Sequence, residues 1–270
     1  MTLKTLFFTL ALMLTACAGN PSAPVPALRT ATENANRTAV VAVRELRWEN
    51  AVDSWRESLA GYQAIDDWPG QGRARLGLGQ AYARLGKIDL ARKYLEEMPA
   101  QSLFPDIQRA SAAYQLALLD VLHAERAQAL LDTAWQVCGK RCPLAAQLDN
   151  LAARLAAARK DWVKVGQLAQ KALEEAESLP AERAHSHRLL AEVALDAHDP
   201  HLAKIHVETA LIDDRKLAEP EWLLEDYQLM AHVAVVLNDE SLAQDVAVRQ
   251  KSLCSAALLL ACPKQSSRMP

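Results

Sequence analysis

The residues of this chain whose types and spacing could do chemistry are its clustered glycines, histidines and cysteines. Gly70, Gly72, Gly77 and Gly79 fall close together between residues 70 and 79. A dinucleotide-binding loop needs G-x-G-x-x-G after a strand and at the opening of a helix, so that backbone N–H groups reach the pyrophosphate. The third glycine would fall at 75 or 82, which are Arg75 and Tyr82, and no β-branched run precedes either set. That excludes a nucleotide loop. Five of the seven histidines lie between His185 and His206. On a helix, His185 and His187 point about 200° apart, and His198 lies about 17 to 20 Å further along. Only His198 and His201, around Asp199-Pro200, could share an ion, so neither a metal site nor a cofactor is expected. No G-x-S-x-G or H-E-x-x-H stands in the chain, so it offers no activated nucleophile or zinc-protease pair. Glu96-Glu97 and Glu174-Glu175 read as solvated helix surface. No catalytic residue is assigned, and binding rather than an enzyme activity is expected.

The cysteines divide into one and four. Cys17 closes the segment "MTLKTLFFTLALMLTAC", in which Lys4 precedes an apolar run from Leu6 to Leu14. That run is too short for a spanning helix and suits a signal peptide. Leu14-Thr15-Ala16-Cys17 resembles the bacterial lipoprotein box. The resemblance implies cleavage after residue 16, acylation of Cys17 and stable anchoring, since several acyl chains hold where one does not. Ala18, in place of an aspartate, implies sorting to the periplasmic face of the outer membrane. Residues 17–35 then read as lipidated cysteine and flexible tether, rich in proline and small residues. The remaining Cys138, Cys142, Cys254 and Cys262 are even in number, as expected of disulfides in an oxidising compartment. C-x₃-C and C-x₇-C match zinc spacings poorly. Cys138 and Cys142 can reach each other even in a helical turn. Cys254 and Cys262 would stand about 12 Å apart in one helix, beyond the reach of a disulfide, so a bridge there demands a break.

Elements must position whatever these residues do. The 270 residues are 51% apolar but only 5% aromatic, and alanine and leucine carry most of the apolar surface, as in helices. A net charge of −3 gives no basic excess for nucleic acid. Prolines at 69, 105, 143, 180 and 220 recur with a nearly constant spacing, each opening a helical pattern. Ala51, Ala91, Ala127, Val165, Ala203 and Ala243 recur at the same period. Four residues beyond each come Trp55, Leu95, Leu131, Ala169, Val207 and Ala247, on the same helix face. A period of this size predicts a solenoid of helical hairpins.

In the second unit, Leu78-Gly79, Tyr82, Gly86, Ala91 and Leu95 resemble the tetratricopeptide repeat at its L-G, Y, turn-G, A and F-type positions. Ala153, Ala191 and Ala231 replace Gly79 in later units, and Ala156, Ala194 and Ala234 replace Tyr82; Gln115 of the third unit fits its packing position poorly. Gly77 has no place in the pattern. The resemblance, over about residues 35 to 252, implies an all-α right-handed superhelix of about six hairpins across 36–262, with 263–270 a disordered tail. In that family the first helices line a concave surface. Carried over, its groove positions are Arg73, Gln80, Arg84, Arg109, Gln147, Asn150, Arg154, Arg188 and Glu192. Arginine dominates the set, which tilts the groove toward acidic peptide segments. The expectation is a lipid-anchored adaptor that binds another cell-envelope protein or peptide segment, with no nucleic acid. The alternative is a subunit of peptidoglycan or glycan metabolism. Trp68, Trp135 and Trp222 keep that alternative alive, whereas Trp48, Trp55 and Trp162 fall at packing positions.

Overall fold

The computed structural model describes residues 26–256 and Cys262. The signal peptide, Cys17, the first part of the tether and the tail at 263–270 lie outside the described residues. Twelve helices follow one another among the described residues: α1 (Ala27–Arg44), α2 (Trp48–Ala64), α3 (Trp68–Arg84), α4 (Ile88–Leu95), α5 (Asp106–Leu119), α6 (Ala124–Cys138), α7 (Ala145–Ala157), α8 (Trp162–Glu175), α9 (Pro180–Asp196), α10 (Pro200–Leu217), α11 (Pro220–Leu237) and α12 (Glu240–Ala256). They pack as six consecutive antiparallel hairpins, α1 on α2 through α11 on α12. The six second helices are the six blocks expected from the alanine period. No described helix is long and apolar enough to cross a membrane.

Local chemistry sets the hairpin ends. Five within-hairpin turns place one residue in the left-handed region: Leu46, Gly86, Lys160, His198 and Asn238. The residue that follows opens the next helix. At Asp161, Asp199 and Asp239 that residue's carboxylate accepts the N–H of Lys164, Leu202 and Leu242, satisfying a donor that the helix leaves unpaired. Pro180 and Pro220 occupy first-turn positions, where a missing N–H costs nothing.

The period also predicts the core. Ala51, Ala91, Ala127, Val165 and Ala203 are fully buried, as are Leu95, Ala169 and Val207 four residues on. In α12, which has no following hairpin among the described residues, Ala247 is exposed. Gly77, unassigned by the repeat pattern, carries the indole of Trp55: a Cβ there would stand 2.3 Å from Trp55 Cε2. Gly79 faces Leu95 within its hairpin and Gln115 of the next, where a Cβ would meet both below 3.0 Å. These are close approaches of a neighbouring side chain to bare backbone.

Two expectations change. The tether expected over 17–35 is shorter, because α1 begins at Ala27, directly after the last proline of that stretch, and buries Thr32 and Ala35. The register of the third unit shifts by one. Its turn, Asp120–His123, holds one residue more than Leu85–Lys87 of the second, so Ala113, Leu116 and Ala117 take the buried places of Leu78, Ala81 and Tyr82. That is why Gln115 fits the packing position poorly. The buried Asp120 fixes the longer turn by accepting two hydrogen bonds from Arg92, at 2.9 and 3.0 Å, which hold its pKa below the usual carboxylate range.

Candidate functional site

The first helices of successive hairpins converge on a cavity of about 440 Å³. α3, α5, α7, α9 and α11 supply its walls, with Leu95 of α4 at one edge. Its apolar surface comes from Leu95, Leu118, Leu119 and Leu151, beside the rings of Tyr114 and Trp222. A second depression of about 390 Å³ continues along α7, α9 and α11 and shares Arg154, His185 and Glu225 with the first. The concave face is therefore continuous, with Arg154 between its two parts.

Polar cross-links join the helices that form this face. Asn150 on α7 donates to the backbone carbonyl and carboxylate of Glu182 on α9, both at 3.0 Å, and accepts from Ser186 at 2.9 Å. Arg188 on α9 donates to Asp226 at 2.9 Å and also pairs with Asp214, all three being buried. Arg183 grips Asp213 of α10 through two nitrogens, at 3.1 and 2.8 Å. Burial raises the pKa values of Asp214 and Asp226 despite the arginine between them. One cation cannot stabilise two fully buried carboxylates against their loss of water.

The nine groove residues expected from sequence divide on this geometry. Gln80, Arg84, Asn150 and Arg154 line the main cavity. Asn150 is committed to the α7–α9 cross-link. Arg84 pairs with Glu221, and with Glu219 at 3.5 Å. Arg188 and Glu192 line the second depression, but the Arg188 charge belongs to Asp214 and Asp226 rather than to an exposed stripe. Arg109 lies off the cavity. It donates to the Pro99 carbonyl at 3.0 Å and pairs with Asp106, a consequence of the shifted third-unit register. Arg73 is exposed over the Tyr62 ring, 5.4 Å from its centroid, and Gln147 is half-buried elsewhere. The expected stripe of Arg84, Arg109 and Arg154 is therefore not formed. Arg154 remains the cavity arginine without an ion pair among the described residues.

Gln115, His185, Trp222 and Glu182 contribute as well and were not in the expected set. The amide oxygen of Gln115 is buried on the cavity wall, with no hydrogen-bond partner among the described residues. His185 packs edge-on with Trp222, ring centroids 4.9 Å apart. Burial, together with Arg188, Arg154 and Arg84, pushes the His185 pKa well below its ordinary value, so the ring is neutral. Burial likewise raises the pKa values of Glu182 and Glu192. The site thus combines an unpaired guanidinium, an orphaned acceptor and aromatic and aliphatic walls, which suits binding a segment with polar and apolar parts.

The other candidate residues lie apart from the cavity. Among the described residues no group of three or more His, Cys, Asp or Glu is placed to hold a metal ion. His187 Nδ1 lies 3.0 Å from His206 Nδ1, a pairing across α9 and α10 that neither 185–187 nor 198–201 spacing anticipates. The sulfurs of Cys138 and Cys142 are at bonding distance, with Cα atoms 5.1 Å apart. Those of Cys254 and Cys262 are too, their Cα atoms being 5.7 Å apart and so well short of a continuous helix.

Fold and site together define an all-helical hairpin-repeat protein with a concave face. Residues 31–98 match the model of the tetratricopeptide repeat family, and the later helices continue the same consecutive hairpin packing among the described residues. Among solved structures it is similar to the crystal structure of BtubC (BKLC) from P. vanneervenii. The TM-score is 0.50 at 16% identity, over 91% of this chain and 98% of that one, a likeness of fold. A comparison with curated proteins finds no match.

Proposed function

We propose that this protein is a lipid-anchored, non-catalytic adaptor of the bacterial envelope that holds a segment of another envelope protein in its concave cavity. Tetratricopeptide repeats generally mediate protein–protein interaction and scaffolding. The observation that carries the reading is Arg154: a guanidinium at the junction of two depressions, unpaired among the described residues, in a cavity whose wall also holds the unpartnered Gln115 oxygen. A charge-assisted hydrogen bond from Arg154 to a partner carboxylate or carbonyl, a partner N–H donated to the Gln115 amide oxygen, and an apolar residue against Leu118 and Leu151 together satisfy each feature. The acidic preference expected of the partner now rests on Arg154 rather than on a stripe of arginines. The envelope address rests on the Leu14-to-Cys17 box and on paired cysteines.

Trp222 already contacts Arg84 and His185, Trp68 packs on Phe104 and Trp135 lies under Lys171. A sugar-stacking platform therefore finds little support. The test is crosslinking capture from solubilised envelope with the lipidated protein. Arg154→Glu should reduce recovery of its specific partner at least tenfold while leaving helix content and anchoring unchanged. Recovery at the unmutated level refutes docking at this cavity.

A further inference from the structure

Arg84 does more than line the cavity. It sits in the last turn of α3 and pairs with Glu221 in the first turn of α11, 137 residues further along the chain. Glu219, just before α11, lies 3.5 Å from the same guanidinium. The indoles of Trp48 from α2 and Trp222 from α11 stand 5.5 and 5.7 Å from it, within cation–π range. Side chains of the first, second and sixth hairpins thus meet at one point. In a solenoid each unit touches only its neighbours, and helix packing here obeys that rule: α3 lies on α2, α4 and α5, and α11 on α9, α10 and α12. The closure between α3 and α11 is made by side-chain tips. Arg84, Glu221 and Trp222 are also one wall of the main cavity.

We propose that Arg84 is the pin of a clasp that shuts the superhelix around the cavity, and that a partner segment reaches Arg154 by releasing it; this rests on the reading of the cavity as a docking site. The chemistry suits a releasable contact. The Arg84 side chain is 17% exposed and its two partners 23% and 39%, so the pair is part-solvated and open to screening. The buried Arg188 cluster holds α9, α10 and α11 together, and Arg92–Asp120 holds α4 to the α5 turn. Each arm therefore carries a polar cross-link of its own that does not involve Arg84.

The test uses the full chain carrying Cys17→Ser, with nitroxides on Lys87→Cys and Lys216→Cys, exposed positions near the two sides of the clasp. Pulsed dipolar spectroscopy reads their distance distribution. The clasp predicts one dominant short distance at low salt. Arg84→Glu should move at least half the population to longer distances, and adding Glu221→Arg should bring the short distance back. Raising salt from about 0.05 to about 1 M on the otherwise unmutated chain should shift the population the same way, so the outcome does not depend on any clasp variant folding. A distribution indifferent to salt and to Arg84→Glu, or one that the charge swap fails to restore, overturns the clasp. No partner enters this measurement, so its failure leaves docking at Arg154 standing, whereas a failure of docking leaves the closed contact standing and removes only its role in partner entry.

Discussion

Adding one methyl group at residue 77 tests the packing of α2 on α3 at a point of close approach. A Cβ on Gly77 would stand 2.3, 2.5 and 2.7 Å from three atoms of the Trp55 indole. Non-bonded carbons settle at about 3.5–4.0 Å, so the ring or the helix must move by roughly 1 Å. Trp55 is 7% exposed and packs in one cluster with Ala51, Leu59 and Leu78, and a rigid bicycle there has little room to turn. Overpacking of this kind costs about 1–3 kcal/mol, against about 1 kcal/mol gained when alanine replaces glycine in a helix. Gly77→Ala should therefore destabilise the protein by about 1 kcal/mol, and by at most about 2. Gly166→Ala is the internal control. Its Cβ would meet only Val193, at 3.7 Å, an ordinary contact, so the propensity gain survives and the variant should be about 1 kcal/mol more stable. Urea unfolding followed by far-ultraviolet circular dichroism reads both, and the two midpoints should move in opposite directions. A Gly77→Ala midpoint at or above the parent's refutes the Trp55 contact and the α2–α3 register with it.

Burial pushes the Asp226 carboxyl up to about 7, from an unfolded value near 3.8. Its stabilising contribution is present below the unfolded value and lost as pH rises through about 7. Asp226→Asn should match the parent in thermal unfolding at pH 4 and exceed it at pH 8, by an amount on the order of 4 kcal/mol at most; a constant difference across that range contradicts the buried-pair argument. Closing the short loop from Cys138 to Cys142 constrains the unfolded chain by about 2 kcal/mol. Cys138→Ser with Cys142→Ser should lose about that much, and free thiols at both positions in protein isolated from an oxidising compartment would falsify the bridge. Cys17→Ser should release the protein from membranes or leave an uncleaved precursor, and globomycin-insensitive processing of the unmutated chain contradicts lipidation.

What was legible in the sequence followed from periodicity. The alanine period placed all six second helices, because residues that touch within a hairpin lie on one helix face and recur with the unit. Gly79 was readable for the same reason: its contact with Leu95 is internal to one hairpin. Gly77 was not, since its partner Trp55 belongs to the preceding hairpin. The groove is less legible. Carrying positions from unit to unit assumes a constant turn length, and the extra residue in the Asp120–His123 turn moved Arg109 and Gln115 off register. The poor fit of Gln115 was the available signal of that insertion. Periodicity also says nothing about which arginines are already paired. Arg188 meets Asp214 and Asp226, 26 and 38 residues away, and Arg84 meets Glu221 only because the superhelix curves back on itself.

The most direct test of the cavity as the partner-binding surface is site-specific photocrosslinking in intact cells. A photoreactive residue at Gln80, exposed on the cavity wall, is compared with one at Gln170, exposed on the second helix of the fourth hairpin. Docking in the cavity predicts a discrete protein adduct from position 80 that disappears with Arg154→Glu, and none of the same mass from position 170. Adducts from 170 alone, or an adduct from 80 that persists at full yield with Arg154→Glu, would contradict it.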